Sequence, residues 1–277
     1  MEGLSTMKIY EILDQENALS VGTLLYYEKS RTFIIELMDC LDEWNAPLLL
    51  TAYVKRGTFT IPRDISLMWV RERIIPSGRQ NIGMILRSHK LSEYDEMTFL
   101  EKSGGRCSQD SLYIRRLSQI PDYVKERRQR NLKDCTLCAG RTLLCFFLDG
   151  TVKKVSLNSY KSSDENENTA VRKILENDAL YSSGRITAGG YAVTFNDSLD
   201  LSAASLYESG VAVPLGLNDF LSFVKGNLLD TAGACDALSC SRQNLDYLSG
   251  KGAIDPVREK VRGNLYLKGE VLTVYDA

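Results

Sequence analysis

Histidine is nearly absent from this chain, and its scarcity narrows the chemistry open to the protein. His89 is the single histidine among 277 residues, and it lies in a polar stretch between Ser88 and Lys90. No nucleophile is matched to it, so nothing in the sequence favours a Ser-His-Asp or Cys-His mechanism. The glycines at 104 and 105 do not belong to the G-x-x-x-x-G-K-[ST] pattern of a phosphate loop. We therefore expect neither an enzyme nor a bound cofactor.

Long apolar runs are also missing. No run approaches the ~20 apolar residues that span a bilayer. Residues 1–19 carry acids and lack the apolar segment of a signal peptide. The seven cysteines are an odd number scattered along the chain, which favours reduced thiols over a disulfide framework. These patterns predict a cytoplasmic protein without a membrane segment.

A complete set of zinc ligands is lacking as well. Cys135 and Cys138 form a C-x-x-C pair, but a structural zinc site needs four ligands and the sequence has no second pair. Cys107 or Cys145 are the remaining candidates. Partly buried free thiols are favoured over a metal site or redox chemistry, so we expect no metal.

The chain carries little excess charge. Its formal net charge is -2, with 44% hydrophobic and 25% charged residues, which suits two or three compact soluble domains. Nucleic-acid binding would have to come from a local basic surface, because phosphate contacts need clustered Lys and Arg.

One local concentration of positive charge surrounds Trp69. Acidic residues are interspersed with it, so a salt-bridged helical surface is favoured over an anion site. The basic residues are Arg71, Arg73, Arg79, Arg87 and His89.

The first part of the chain has the pattern of a β-hairpin at residues 22–37. Two runs of aromatic and β-branched residues flank a polar turn at 28–31. Further on, Met97 and Leu100 share a helical face. The strongly charged residues 122–133 predict an exposed helix or linker.

Residues 143–157 carry a strong hairpin signal in the middle of the chain. Apolar runs flank an Asp-Gly pair at 149–150, which supplies the positive φ angles of a tight turn. The acidic, polar residues 161–169 predict a mobile loop. Strands are expected to resume between 184 and 195.

Two short helices joined by a tight turn are predicted over residues 231–249. Asp230 is the expected N-cap of the first helix, and Ser241 is the expected N-cap of the second. This is the helix-turn-helix arrangement. The residues expected to face inward are Ala234, Leu238, Leu245 and Leu248.

The second helix of such an arrangement enters the major groove of DNA, where its first exposed side chains meet base edges. Arginine pairs well with guanine, and glutamine or asparagine with adenine. Residues 257–267 have the pattern of a small β-wing with a Gly-Asn tip and basic side chains for phosphates. The side chains expected to contact double-stranded DNA are Ser241, Arg242, Gln243, Asn244, Lys251, Arg258, Lys260 and Arg262.

The same region resembles the winged helix-turn-helix domains of the MerR and excisionase class. Residues 231–245 are similar to their first two helices, and 251–254 and 265–271 to their exit and wing. Gly233 departs from that pattern and should weaken the first helix. The resemblance implies DNA binding. The alternative is a helix-turn-helix used only for protein contact.

The middle of the chain resembles the family called domain of unknown function 2442. The similar features are the Asp-Gly hairpin, a helix, the strand around Gly190-Tyr191 and a final turn at Leu206-Tyr207. That family has no accepted activity, so the resemblance implies a small α+β interaction module without chemistry.

The N-terminal segment resembles the small N-terminal subdomain of HipA-type kinases. Residues 21–37, 73–82 and 91–113 carry the similarity. No catalytic-loop pattern of a kinase domain follows. The resemblance implies a regulator or antitoxin that acts on a HipA-like kinase.

Together these patterns predict an α+β protein of three small modules. The expected bounds are 1–138 for the HipA-N-terminal-like domain, 139–216 for the small α+β domain and 217–277 for the winged helix-turn-helix. We expect a DNA-binding transcriptional regulator, homodimeric because such proteins read two half-sites, with a kinase-type partner as in toxin-antitoxin pairs. The main alternative is a protein-interaction or antitoxin module without specific DNA binding. An enzyme is the third interpretation.

Overall fold

The computed structural model describes residues 7–212, 217–258 and 264–274. These residues form two compact units, divided between residues 125 and 126. Both units combine helices with strands that pair in an antiparallel manner, which confirms the predicted α+β class. Among the helices of the described ranges, none has the length and apolar character to cross a membrane.

The first unit is built on one antiparallel sheet. Its elements are β1 (Met7–Asp14), β2 (Leu19–Tyr27), β3 (Thr32–Leu37), α1 (Thr51–Lys55), β4 (Thr60–Ile61), α2 (Arg63–Arg71), α3 (Ile82–Ser88), α4 (Glu96–Ser103), β5 (Leu112–Leu117) and α5 (Asp122–Arg128), the last of which runs across the division. The strand order is β4-β3-β2-β1-β5. The pairing of β2 with β3 confirms the predicted hairpin. No pattern predicted β1, which lies between β2 and β5.

The basic region around Trp69 is salt-bridged, as the interspersed acids predicted. Arg71 of α2 forms an ion pair with Glu96 of α4. Arg73 is buried, forms an ion pair with Asp110 and lies over the Trp69 ring, 3.8 Å from its centroid. Arg73 therefore serves the packing of the first unit, and Arg71 forms a surface ion pair.

The second unit contains three small sheets and the remaining helices. Its elements are β6 (Leu132–Cys138), β7 (Thr142–Phe147), β8 (Val152–Ser156), α6 (Glu165–Glu176), α7 (Asp178–Ser182), β9 (Arg185–Ile186), β10 (Ala192–Phe195), β11 (Leu199–Ser202), α8 (Ala203–Ser209), β12 (Val211–Ala212), α9 (Leu217–Asn227), β13 (Leu228–Leu229), α10 (Thr231–Leu238), α11 (Arg242–Gly250), β14 (Tyr266–Leu267) and α12 (Lys268–Thr273). The sheet orders are β12-β8-β7-β6, β11-β10-β9 and β13-β14. The β7–β8 pair confirms the predicted hairpin. Of the two turn residues, only Gly150 has a positive φ, at +85°.

The predicted mobile loop at 161–169 is wrong in its second half, because α6 begins at Glu165. Asp164 caps this helix by accepting a hydrogen bond from the backbone N–H two residues later (2.9 Å). Acidic side chains in a first turn are favoured by the partial positive charge of a helix N-terminus. Glu167 is buried and accepts a hydrogen bond from the Tyr160 hydroxyl (2.7 Å). The acids that suggested disorder therefore start a helix.

α9 packs across one face of the four-stranded sheet. Alternate residues of β7 point to opposite faces: Leu143 and Cys145 belong to the core that also contains Ile174 of α6. Residues four apart on a helix share a face, and one such stripe of α9 contacts three successive strands from the other side. The contacts are Asp219 with Lys154 of β8 (3.0 Å), Phe223 with Phe146 of β7 (4.6 Å between ring centroids) and Asn227 with Thr136 of β6.

Two of the expected domain ends fall inside this packed unit. An end at residue 138 would separate β6 from β7, although the two strands pair from Leu132–Phe147 to Cys138–Thr142. An end at residue 216 would detach α9 from the sheet that it covers. At both residues, long-range contacts join segments that the sequence pattern treats as separate domains.

Candidate nucleic-acid interface

The two helices of the C-terminal region lie where the sequence pattern predicts them. Asp230 caps α10 by accepting a hydrogen bond from the Gly233 N–H (2.7 Å). Ser241 caps α11 by accepting one from the Asn244 N–H (3.3 Å). Both predicted N-caps are therefore confirmed. α11 ends at Gly250, one residue beyond the predicted end.

Ser239 turns the chain between these helices. Its backbone is left-handed, with φ +53° and ψ +44°. The N–H of Cys240 donates to the carbonyl of Cys235 (3.0 Å), and the N–H of Ser239 donates to that of Asp236 (3.1 Å). This pair of bonds is the Schellman ending of a helix. It fixes the direction in which α11 leaves α10.

A small apolar core holds the two helices together. Leu245 and Leu248 of α11 pack with Tyr266 of β14 and Val271 of α12. All of the residues predicted to face inward are buried, with exposed fractions of 7% or less. Packing explains why glycine stands at position 233. A Cβ there would lie 3.2 Å from the Asp230 carboxylate and 3.4 Å from Leu229.

The start of α11 presents polar side chains to solvent. Ser241, Arg242 and Gln243 are exposed, and Asn244 is half-buried. Lys251 is exposed just beyond the helix, with its Nζ 4.5 Å from the centroid of the Tyr247 ring. Within the described ranges, no ion pair to a carboxylate occupies Arg242 or Lys251. The Arg242 charge is therefore left to solvent, and the Lys251 ammonium contacts the Tyr247 ring.

The predicted wing is described only at its base. Val257 donates its N–H to the Leu265 carbonyl (2.6 Å), and Leu265 donates its N–H to the Arg258 carbonyl (3.1 Å). This is an isolated antiparallel bridge between Arg258 and Leu265, and the Arg258 side chain is exposed. The expectation that residues 265–271 belong to the exit and wing is wrong at its end, because α12 begins at Lys268 and β14 pairs with β13 instead. Lys260 and Arg262 lie outside the described residues.

Carboxylates lie close to this cationic surface. Asp246 is exposed on α11, one turn after Arg242, and Asp236 is exposed on α10. Positions four apart on a helix are neighbours, so Asp246 reduces the positive potential around Arg242. The surface is therefore only weakly basic.

The C-x-x-C cysteines do not assemble a metal centre among the described residues. There, no group of three or more His, Cys, Asp or Glu side chains is placed to hold a metal ion. Cys135 instead faces Cys145 on the paired strand, with 3.9 Å between the sulfur atoms. The contact with Cys145 and burial raise the pKa of the Cys135 thiol well above its ordinary value. This thiol is therefore protonated at neutral pH.

Comparison with known proteins adds no family to this geometry. No family model matches the chain, and neither a curated protein nor a solved structure matches it significantly. The three resemblances noted from the sequence stay predictions.

Proposed function

We propose that this chain is a DNA-binding transcriptional regulator whose C-terminal region is a winged helix-turn-helix. The observation that supports it best is the exposed polar start of α11. Ser241, Arg242 and Gln243 are solvent-facing side chains that can bond to base edges. They follow the left-handed turn at Ser239, and Ser241 is also the N-cap of α11. A helix about 10–12 Å across fits the roughly 12 Å width of the major groove.

Flanking cations supply the contacts that are independent of DNA sequence. Lys251 follows α11, and Arg258 lies at the base of the wing. Lys260 and Arg262 extend this set in the proposal. Each neutralised phosphate releases counterions, so four such contacts predict a slope of about -3.6 for log K against log salt. The net-acidic chain makes this local set the main source of attraction for DNA.

The proposal includes a homodimer, since helix-turn-helix proteins usually read two half-sites. Binding of a protein partner is the second candidate function. The observation that favours it is made on the first unit. Trp44 and Leu48 are large apolar side chains that are 87% and 95% exposed, and contact with a partner would bury them. A HipA-like kinase is the partner that the N-terminal resemblance implies.

A mobility-shift titration tests the DNA-binding proposal. The probe is the DNA upstream of the gene, with unrelated DNA as competitor and several salt concentrations. Arg242→Ala with Gln243→Ala should weaken binding to the preferred site, because both exposed side chains lie at the start of α11. Lys173→Ala is the matched control, since Lys173 is exposed on α6 of the same unit. Wild-type affinity in the double variant would refute DNA reading by α11.

Two further observations separate the candidate functions. An adjacent gene for a HipA-like kinase favours the protein-partner role, and its absence weakens that role. ATP turnover or nuclease activity in the purified chain would favour an enzyme instead.

A further inference from the structure

A cavity of about 400 Å³ opens in the second unit, between the four-stranded sheet and the C-terminal helices. β6 and β9 supply one side of it, and α9 and α12 supply the other. Cavities that hold small molecules have volumes of about 300–1,000 Å³. The cavity is therefore large enough for a small metabolite.

Basic side chains dominate the ionised groups of its wall. Arg185 comes from β9, Lys225 from α9 and Lys268 from α12. Arg185 forms an ion pair with the exposed Asp197. Within the described ranges, neither Lys225 nor Lys268 has a carboxylate within ion-pair distance. Two ammonium groups on different helices are thus left to a ligand.

Among the described residues of the wall, one carboxylate is present, and it accepts hydrogen bonds from two backbone N–H groups. Asp134 accepts a hydrogen bond from the Cys135 N–H (2.7 Å) and one from the Gly269 N–H (2.9 Å). Burial raises the pKa of this carboxyl above its ordinary value, although its two backbone hydrogen bonds and the nearby charge of Lys268 act in the opposite direction. The polar wall also includes Ser182 and Ser222.

We propose that this cavity is a binding site for a small organic anion with at least two negative charges. Lys225 and Lys268 bind its anionic groups, and Arg185, whose charge is offset by its ion pair with Asp197, lies at the side formed by β9. Carboxylate and phosphate groups share this chemistry. Single-charged or neutral molecules of the same size leave one ammonium group unpaired and bind more weakly.

Occupancy of the cavity bears on DNA binding, and this part of the inference rests on the proposed function. α12 packs with α10 in the C-terminal core, through Val271 and Ala234. A ligand that joins Lys268 of α12 to Lys225 of α9 therefore fixes the two helices relative to each other. Such a ligand acts as an effector because it selects one placement of α10 and α11.

Calorimetric titration of the full chain tests the site. The probes are citrate, succinate and inorganic phosphate, with acetate and chloride as single-charged controls. At least one multivalent probe should bind with one-to-one stoichiometry. Lys225→Ala with Lys268→Ala should weaken that binding at least tenfold, and Lys173→Ala should leave it unchanged.

A second variant and a second readout separate the possible outcomes. Lys225→Ala alone changes an exposed side chain, so its circular dichroism should match wild type while its anion affinity falls. The site is refuted if no multivalent probe binds, or if the double variant binds as well as wild type. Anion binding without any change in the DNA mobility shift refutes the effector role and keeps the site. A chain that binds the anion but no DNA refutes the proposed function alone.

Discussion

The carboxylate of Asp134 accepts a hydrogen bond from the backbone N–H of Gly269, 135 residues later in the chain (2.9 Å). The bond joins β6 to the start of α12. A Cβ at Gly269 would lie 2.4 Å from the carbonyl oxygen of Lys133 and 2.6 Å from the Asp134 carboxylate. Only glycine permits this close approach, so residue 269 decides how closely the start of α12 can pack against β6.

Gly269→Ala should therefore destabilise the second unit. The added methyl group must displace backbone of β6 or break the bond to Asp134, and overpacking of this kind costs about 1–3 kcal/mol. Urea denaturation of the purified chain measures the loss. Gly250→Ala is the control, because nothing lies within 4 Å of a Cβ at that position. Equal stability of the two variants would contradict the importance of the contact.

The Asp134 carboxyl should make stability depend on pH in an unusual direction. Burial raises its folded-state pKa above the ordinary value of 3.8, so the folded protein binds this proton more tightly than the unfolded chain does. The contribution of the carboxyl is full below pH 3.8 and is lost as the pH rises through the raised value.

The measurement is the difference in unfolding free energy between wild type and Asp134→Asn across that range. The amide does not titrate, so the other acids cancel in the difference. The advantage of wild type should shrink as the pH rises. A difference that grows with pH would mean that the folded-state pKa is lowered.

Ser239→Gly should stabilise the turn between α10 and α11. Ser239 has a positive φ, which favours glycine because it has no Cβ. The expected gain is about 0.5–1 kcal/mol, after allowance for the greater freedom of glycine in the unfolded chain. Ser249→Gly in the last turn of α11 is the opposite control and should cost about 0.5 kcal/mol. Thermal unfolding followed by circular dichroism distinguishes the two.

Asp246→Asn should strengthen DNA binding. The exposed carboxylate lies one turn after Arg242, where it repels phosphates that approach α11. Its removal should raise affinity several-fold at low salt and by less at high salt, because exposed charges are screened. Asp178→Asn is the matched control, since Asp178 is exposed on α7. A mobility-shift titration in which both variants gain equally would indicate a general charge effect.

Local signals made part of the fold predictable. The N-caps Asp230 and Ser241 each bond to a backbone group three residues later, and the turn at Asp149-Gly150 is equally short-range. Both partners of such a bond lie within a few residues of each other, so a short stretch of sequence is enough to predict it. These short-range signals predicted the bounds of α10 and α11, and therefore the exposed start of α11.

The other parts of the fold depend on long-range contacts, which the sequence pattern does not reveal. β1 pairs with β5, about a hundred residues later, and β6 begins within a charged stretch that suggested a linker. The cavity joins Asp134 to Lys225 and Lys268, which are far apart in sequence and belong to no motif. The helix at 165–176 was missed for a different reason, because its acidic first turn has the composition of a disordered segment.

Only residues 228–230 separate α9 from α10, and α9 is fixed to the sheet through Asp219, Phe223 and Asn227. A connection of three residues limits how far α10 and α11 can move relative to that sheet. In a homodimer, the two sheets would therefore set the distance and the rotational phase between the two copies of α11. Operators whose half-sites are moved apart by half a helical turn, about 5 base pairs, should lose cooperative binding. A full turn of about 10 base pairs keeps both half-sites on the same side of the duplex.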